Sequence, residues 1–258
     1  MLLEDKVAVI TGIGPGLGQE LAYTFAREGA KVAICCRRQA ELDRVQAEIE
    51  AKGGEVLALS TDVTDRAACK RLVDAAADRF GRIDALVNSA YNPGAMVLFE
   101  DSDLADWRAP IEVNLFGTLN MCQEVVPHMK AAGGGAIVNV NSMIHKKPLP
   151  YQAPYATSKA ALEGATKMLA RELGAHRIRV NSVFMGWMWG PPVEGYVEMA
   201  AQSGASKDDV IAGITKDIAL GIIPDDADCA NAVAFLCSDY SRVITGAGLD
   251  VNGGEFMP

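Results

Sequence analysis

Short apolar runs rich in β-branched residues alternate along this chain with stretches whose apolar positions repeat at helical spacing. Residues 6–11, 31–36, 55–60, 83–88, 136–141 and 179–183 have the continuous hydrophobicity of strands buried on both faces. Between them, residues 19–28, 39–52, 65–80 and 155–173 carry helical patterns, and Gly29, Gly53 and Gly81 stand where helices stop. A longer helical stretch covers 104–131, where Pro110 and Pro127 predict breaks or kinks. Residues 184–206, rich in Trp, Met, Gly and Pro, predict a loop. Weak helical patterns follow near 207–220 and 226–236, and a short strand around Gly248–Val251. The alternation predicts an α/β fold: a single-domain, doubly wound, Rossmann-type parallel sheet of about seven strands, with helices on both faces. No repeat, low-complexity tract or linker divides residues 1–258.

Composition narrows the function classes. The chain has 258 residues, 50% of them hydrophobic and 22% charged, which suits one large core. A net charge of −9 argues against a nucleic-acid partner. No apolar run reaches membrane-span length, and Glu4 and Asp5 stand where a signal peptide needs an apolar segment, so no membrane partner and a cytoplasmic location are expected. The cysteines at 35, 36, 69, 122, 229 and 237 form no Cys-x-x-Cys and read as small core residues in a reducing compartment. The histidines are scattered, so no metal site is expected.

Two stretches carry chemistry. Gly12-Ile13-Gly14-Pro15-Gly16-Leu17-Gly18 lies between the first strand and the first helix. Glycines there let the backbone approach a pyrophosphate, and the helix N-terminus offers free N–H groups; tight packing alone is the other reading. Further on, Tyr155 and Lys159 are four residues apart, on one face if Tyr155 opens a helix. An ammonium beside a phenol favours the phenolate, which suits proton exchange near neutral pH. A plain helix with an exposed lysine has the same spacing. Ser142 adds a hydroxyl at the end of an apolar run.

Thr11-Gly12, Gly16 and Gly18, with Asn88, Asn114, Ser142, Tyr155, Lys159, Ile244-Thr245-Gly246 and Gly253-Gly254, resemble in that order the short-chain dehydrogenase/reductase family over essentially the whole chain. The resemblance implies Tyr155 as acid/base and Lys159 on the nicotinamide ribose. It implies Ser142 orienting the substrate oxygen and Asn114 holding a water that relays protons to Lys159. Gly12, Gly14, Gly16, Leu17 and Gly18 would cradle the cofactor, with Asp62 and Val63 on its adenine side and Asn88, Ala90 and Gly186 towards the nicotinamide. Asp62 has a rival reading as an N-cap shared with Asp65. A homotetramer or homodimer is also implied, with the C-terminal segment near an interface.

The second strand ends Cys35-Cys36-Arg37-Arg38, with no carboxylate to hold a ribose 2′-hydroxyl. Arg37 bound to a 2′-phosphate favours NADP; two solvated arginines leave NAD as the alternative. Two departures from the family pattern stand out. Tyr91 follows Asn88-Ser89-Ala90 where the family has glycine, and Met185 precedes Gly186 where it has proline. Tyr91, Met96, Met143, His145, Trp187 and Trp189 are candidates for a hydrophobic substrate pocket, with packing as the competing use of the tryptophans. The function expected is an NADP-dependent oxidoreductase acting on a secondary alcohol or ketone, with the small-molecule substrate bulky and hydrophobic. The alternatives are an NAD-dependent dehydrogenase, a relative doing other chemistry, or a catalytically silent NADP-binding regulator.

Overall fold

A computed structural model describes all residues, 1–258. Its parallel sheet is built from β1 (Val7–Thr11), β2 (Lys31–Cys35), β3 (Val56–Ala58), β4 (Ala85–Asn88), β5 (Gly135–Ser142), β6 (Ile178–Met185) and β7 (Gly248–Val251), in the order β3-β2-β1-β4-β5-β6-β7. Strand alternation divides the core. Ala8 and Ile10 of β1 pack on one face with α1 (Leu17–Arg27), α2 (Gln39–Ala51) and α9 (Asp226–Cys237). Val9 packs on the other with α3 (Arg66–Phe80), α5 (Thr118–Ala131) and α6 (Ala153–Leu173). The strand order reverses between β1 and β4, which opens a crevice at the carboxyl ends of those strands.

All six cysteines are free thiols, and all but Cys36 are buried. No helix is long and apolar enough to cross a membrane.

Three local expectations are corrected. The stretch 104–131 is interrupted at neither proline: the chain runs from α4 (Arg108–Ile111) through a wide π turn, Glu112–Gly117, into α5, and α5 continues past Pro127. The predicted loop 184–206 contains the end of β6 and the helix α7 (Pro191–Gln202). With α8 (Lys207–Thr215), α7 forms a small flap around Val193, Val197, Ile214 and Ile218. Pro191-Pro192 at the start of α7 preset the helical backbone; the Gly and aromatic residues around them hid its periodicity. The third strand is also shorter than predicted, because only Val56–Ala58 pair with β2.

Beneath the crevice runs a line of buried polar side chains. Asn88 Nδ2 donates to Asn139 Oδ1 at 2.9 Å, and Asn139 Nδ2 donates to Thr166 Oγ1 at 2.9 Å. The Thr166 hydroxyl in turn lies 3.0 Å from Ser182 Oγ. Asn88, expected beside the nicotinamide, therefore turns its side chain into the core, where Asn139 captures it. This line links β4, β5, α6 and β6. Asn139→Ala is expected to cost about 1–3 kcal/mol, because it leaves the buried Asn88 amide N–H without its oxygen acceptor, while Thr166 keeps its bonds to Leu162 O and Ser182. Urea denaturation measures it; a loss under about 0.5 kcal/mol would contradict the role given to the line.

Candidate active site

A cavity of about 730 Å³ occupies the crevice and continues beneath α7. At its floor β1 and β4 are pulled together: Thr11 Oγ1 accepts from the Ser89 and Ala90 N–H groups at 3.1 and 3.2 Å. Gly12 has a φ of +79°, and a Cβ there would overlap the Ala90 backbone. A Cβ on Gly18 would overlap the Gly12 carbonyl, so helix α1 starts directly against the turn. The Leu17 and Gly18 N–H groups donate to no backbone acceptor, an arrangement suited to an anion. Gly14, Gly16, Leu17 and Ala90 line the same wall.

At one end the cavity is walled by Cys36, Arg37, Arg38, Thr61, Asp62 and Val63. The two N-cap readings separate here. Asp65 caps α3 by accepting from the Ala67 and Ala68 N–H groups. Asp62 instead accepts from the Thr64 N–H and hydroxyl at 2.9 and 2.8 Å; those bonds outweigh burial and, with Arg37, hold its carboxyl below the usual range. Arg38, which sequence reasoning did not single out, has a terminal nitrogen 3.1 Å from where a Gly14 Cβ would stand. Its only carboxylate partner within 4 Å is Glu41, at 3.8 Å.

At the other end stand Ser142, Tyr155 and Lys159, brought together by the end of β5 and the first turns of α6. Pro154 begins that helix without losing a needed N–H. Lys159 is 3% exposed, and its ammonium donates to the Val140 carbonyl at 2.7 Å, 5.6 Å from the Tyr155 ring centre. Burial lowers Lys159 to about 7. The expected acidic phenol is not found in this state of the site. Burial pushes Tyr155 well above its ordinary value, a hydrogen bond with Ser142 opposes this, and Tyr91 adds to it. The tyrosine rings meet edge to face at 6.3 Å. Lys159 does not offset the burial because its ammonium is turned towards Val140.

Asn114 sits in the π turn, fully buried and outside the cavity lining. Its Oδ1 accepts from the Asn92 N–H at 2.7 Å, and its Nδ2 donates to Asn92 O at 2.9 Å and Ser158 Oγ at 2.8 Å. Both amide hydrogens are thus spent on protein, and the side chain clamps the loop after β4 to α6. A water held by Asn114 would therefore be bound through an oxygen of that residue and not through its amide N–H groups.

The pocket candidates divide. Tyr91, Met143 and Trp187 line the cavity, with Asn92, Ile144, Leu149, Gln152, Met185, Gly186 and Met188. Met96 does not; it is 62% exposed. Trp189 packs against the flap core, and its main-chain N–H donates to Pro224 O at 2.8 Å. His145 also turns away from the cavity, towards Glu163 and Phe184.

Residues 12–255 match the family model described as enoyl-(acyl carrier protein) reductase. The chain is 37% identical over 254 residues to a 3-oxoacyl-[acyl-carrier-protein] reductase of Thermotoga maritima, covering 98% of this chain and 99% of that one. Among solved structures, it is similar to a short-chain type dehydrogenase/reductase from Mycobacterium ulcerans (TM-score 0.90, 28% identity, 99% and 91% of the two chains). It is similar also to an NAD⁺-bound xylitol dehydrogenase (TM-score 0.91, 30% identity, 98% and 100%).

One cavity group has a measurable consequence for stability. Asp226, at the start of α9, directs Oδ2 to 3.0 Å from a Cβ position on Gly16. Burial, then Glu20, Asp225 and Glu194, push its carboxyl up to about 6. The folded state therefore holds this proton more tightly than the unfolded chain, whose aspartates titrate near about 4. The stability gained is complete below about pH 4 and lost as pH rises through about 6. Asp226→Asn is expected to leave stability unchanged near pH 4 and raise it by about 1–3 kcal/mol near pH 8. Urea denaturation at the two pH values tests this, and equal shifts at both would contradict it.

Proposed function

The chain belongs to the short-chain dehydrogenase/reductase family of oxidoreductases acting at CH–OH and keto groups, and from that premise we propose that it moves hydride between NADP and an uncharged, bulky, hydrophobic secondary alcohol or ketone. The observation that carries this reading is one cavity lined at one end by Arg37 and Arg38 and at the other by Ser142, Tyr155 and Lys159, with the glycine turn between. The residues fit such a cofactor: a Cβ at Gly12 would close the approach of the turn, and the Leu17 and Gly18 N–H groups are free for a pyrophosphate. Arg37, with Arg38 beside it, would hold the 2′-phosphate. Asp62 and Val63 would meet the adenine side, and Ala90 and Gly186 the nicotinamide side. The bound cofactor supplies or accepts the hydride.

The chain's own groups handle the proton. Ser142 Oγ would hydrogen-bond the substrate oxygen and stabilise negative charge developing there. A phenol held protonated by burial suits Tyr155 to donate its proton to that oxygen in reduction. Lys159, lowered to about 7, can return a proton to Tyr155 near neutral pH. Tyr91, Met143, Trp187 and Met188 give the substrate end an apolar and aromatic wall, and its one cation is the buried Lys159. That wall supports a neutral, bulky substrate.

A single domain would thus carry both cofactor and substrate sites, with α7 as the substrate-side cover. The reduced cysteines support a cytoplasmic setting. The half-open β7 edge and the exposed Phe116 and Met168 on the α5–α6 side support assembly into a homotetramer.

Tyr155→Phe is expected to lower turnover about 100- to 10,000-fold while cofactor affinity stays near wild type. Steady-state kinetics with any accepted ketone measures it, and retained turnover would remove Tyr155 from this role. Arg37→Ala is expected to weaken NADPH binding by about 1.5–3 kcal/mol. NADH affinity should barely change, and equal losses for both cofactors would contradict the 2′-phosphate assignment.

A further inference from the structure

His145 lies three residues beyond Ser142 and is tied at both ring nitrogens. Nδ1 is 2.7 Å from the Ser142 carbonyl oxygen, and Nε2 is 2.6 Å from Glu163 Oε2. The histidine side chain is 7% exposed, and its ring packs 5.1 Å from that of Phe184. A main-chain carbonyl only accepts hydrogen bonds, and so does an ionised carboxylate. Burial pushes the Glu163 carboxyl up, but the bonds from Lys167 and His145 pull it further down, leaving it below its ordinary range. Lys167 Nζ stands 2.8 Å from the second Glu163 oxygen. With an acceptor at each end, both contacts are hydrogen bonds at once only when both ring nitrogens carry a proton. The other charge nearby is Lys146, over the opposite partner of the stack: its Nζ is 3.8 Å from the Phe184 ring centre and 3.6 Å from Asp250 of β7.

The placement of these anchors gives the bridge its meaning. Glu163 follows Lys159 by one helical turn and Tyr155 by two on α6. Ser142 closes β5, and its hydroxyl accepts from the Ile144 N–H at 3.2 Å in the turn that also carries His145. The ring thus spans from the peptide of Ser142 to the helix that bears Tyr155 and Lys159.

We propose that His145, as an imidazolium joining the Ser142 carbonyl to Glu163, is a positioning residue that sets the Ser142 hydroxyl against Tyr155. Its kinetic consequence rests on the oxidoreductase reading above; the bridge itself does not. A neutral ring can donate at only one nitrogen, so loss of the second proton releases one anchor. The Ser142 turn then loosens from α6, and turnover falls as pH rises while cofactor affinity holds.

The test has two arms on the full-length protein. Nitrogen-15 NMR of the histidine rings needs no substrate: wild type is expected to show both His145 nitrogens protonated near pH 7, and Glu163→Gln to lose the Nε2 proton. In the same samples, the carbon-13 resonance of the Tyr155 Cζ should move in His145→Ala and return towards wild type in His145→Asn, whose amide can stand in for the Nδ1 donor. The kinetic arm expects His145→Ala to lower kcat by about 10- to 100-fold with KM for NADPH unchanged, the scale of a small misplacement, and His145→Asn to recover most of it. It also expects the wild-type loss of kcat at high pH to shift in Glu163→Gln. If His145→Ala does not fold, His145→Asn against Glu163→Gln makes the same comparison. A singly protonated ring in wild type, or an unmoved Tyr155 resonance in every variant, would overturn the proposal. Failure of wild type to reduce any ketone would count against the oxidoreductase reading and leave the NMR arm to decide this one.

Discussion

Strand β5 is bolted to helix α6 by polar bonds inside the core, and the reacting end of the cavity depends on that fastening. Asn139 and Asn141 fall on the same face of the strand by its two-residue period. One donates to Thr166 and the other to the Lys159 carbonyl at 3.1 Å, while the Lys159 ammonium reaches back to the Val140 carbonyl. Burying amides and an ammonium costs free energy unless each is bonded, so this pairing tolerates little sliding of strand against helix. Ser142 ends that strand and Tyr155 begins that helix, so their separation is inherited from the core.

The same burial sets the electrostatics. Lys159, buried at 3% exposure, comes down to about 7, and desolvation of the Tyr155 phenol at the cavity wall favours its protonated form. The pair's resting state is therefore a neutral phenol beside a lysine able to gain or lose a proton near physiological pH. Along the cavity the character changes, from Arg37 and Arg38, past the glycine turn with Asp226 above it, to an apolar end at Tyr91 and Trp187. A long ligand that is anionic at one end and uncharged at the other fits that gradient.

Much of this was legible in the sequence because the sheet is buried on both faces, which writes its strands as continuous apolar runs, and because the glycine turn has a steric necessity at Gly12 and Gly18. What stayed hidden depended on side-chain direction. Asn88 and Asn114 were placed in the site, yet the Asn88 amide nitrogen and the Asn114 side chain bond to partners 51 and 22 residues away in the chain, which no local pattern reveals. Trp187 and Trp189 differ by two residues and both pack against the flap core, yet only Trp187 also lines the cavity, a difference no local pattern reveals. Asp226 escaped notice because its 210-residue separation from Gly16 is closed only by the docking of α9 on α1. Arg38 was legible as a neighbour of Arg37, and its reach to Gly14 was not.

The most direct test of the central claim, that this cavity is a dinucleotide site selecting the 2′-phosphate, is a fluorescence titration of the purified protein with NADPH and, separately, NADH. The account predicts saturable binding of NADPH, with NADH weaker by the contribution of about one or two charge-assisted hydrogen bonds. Tighter binding of NADH would contradict the assignment of Arg37 and Arg38, and binding of neither would contradict the reading of the glycine turn itself.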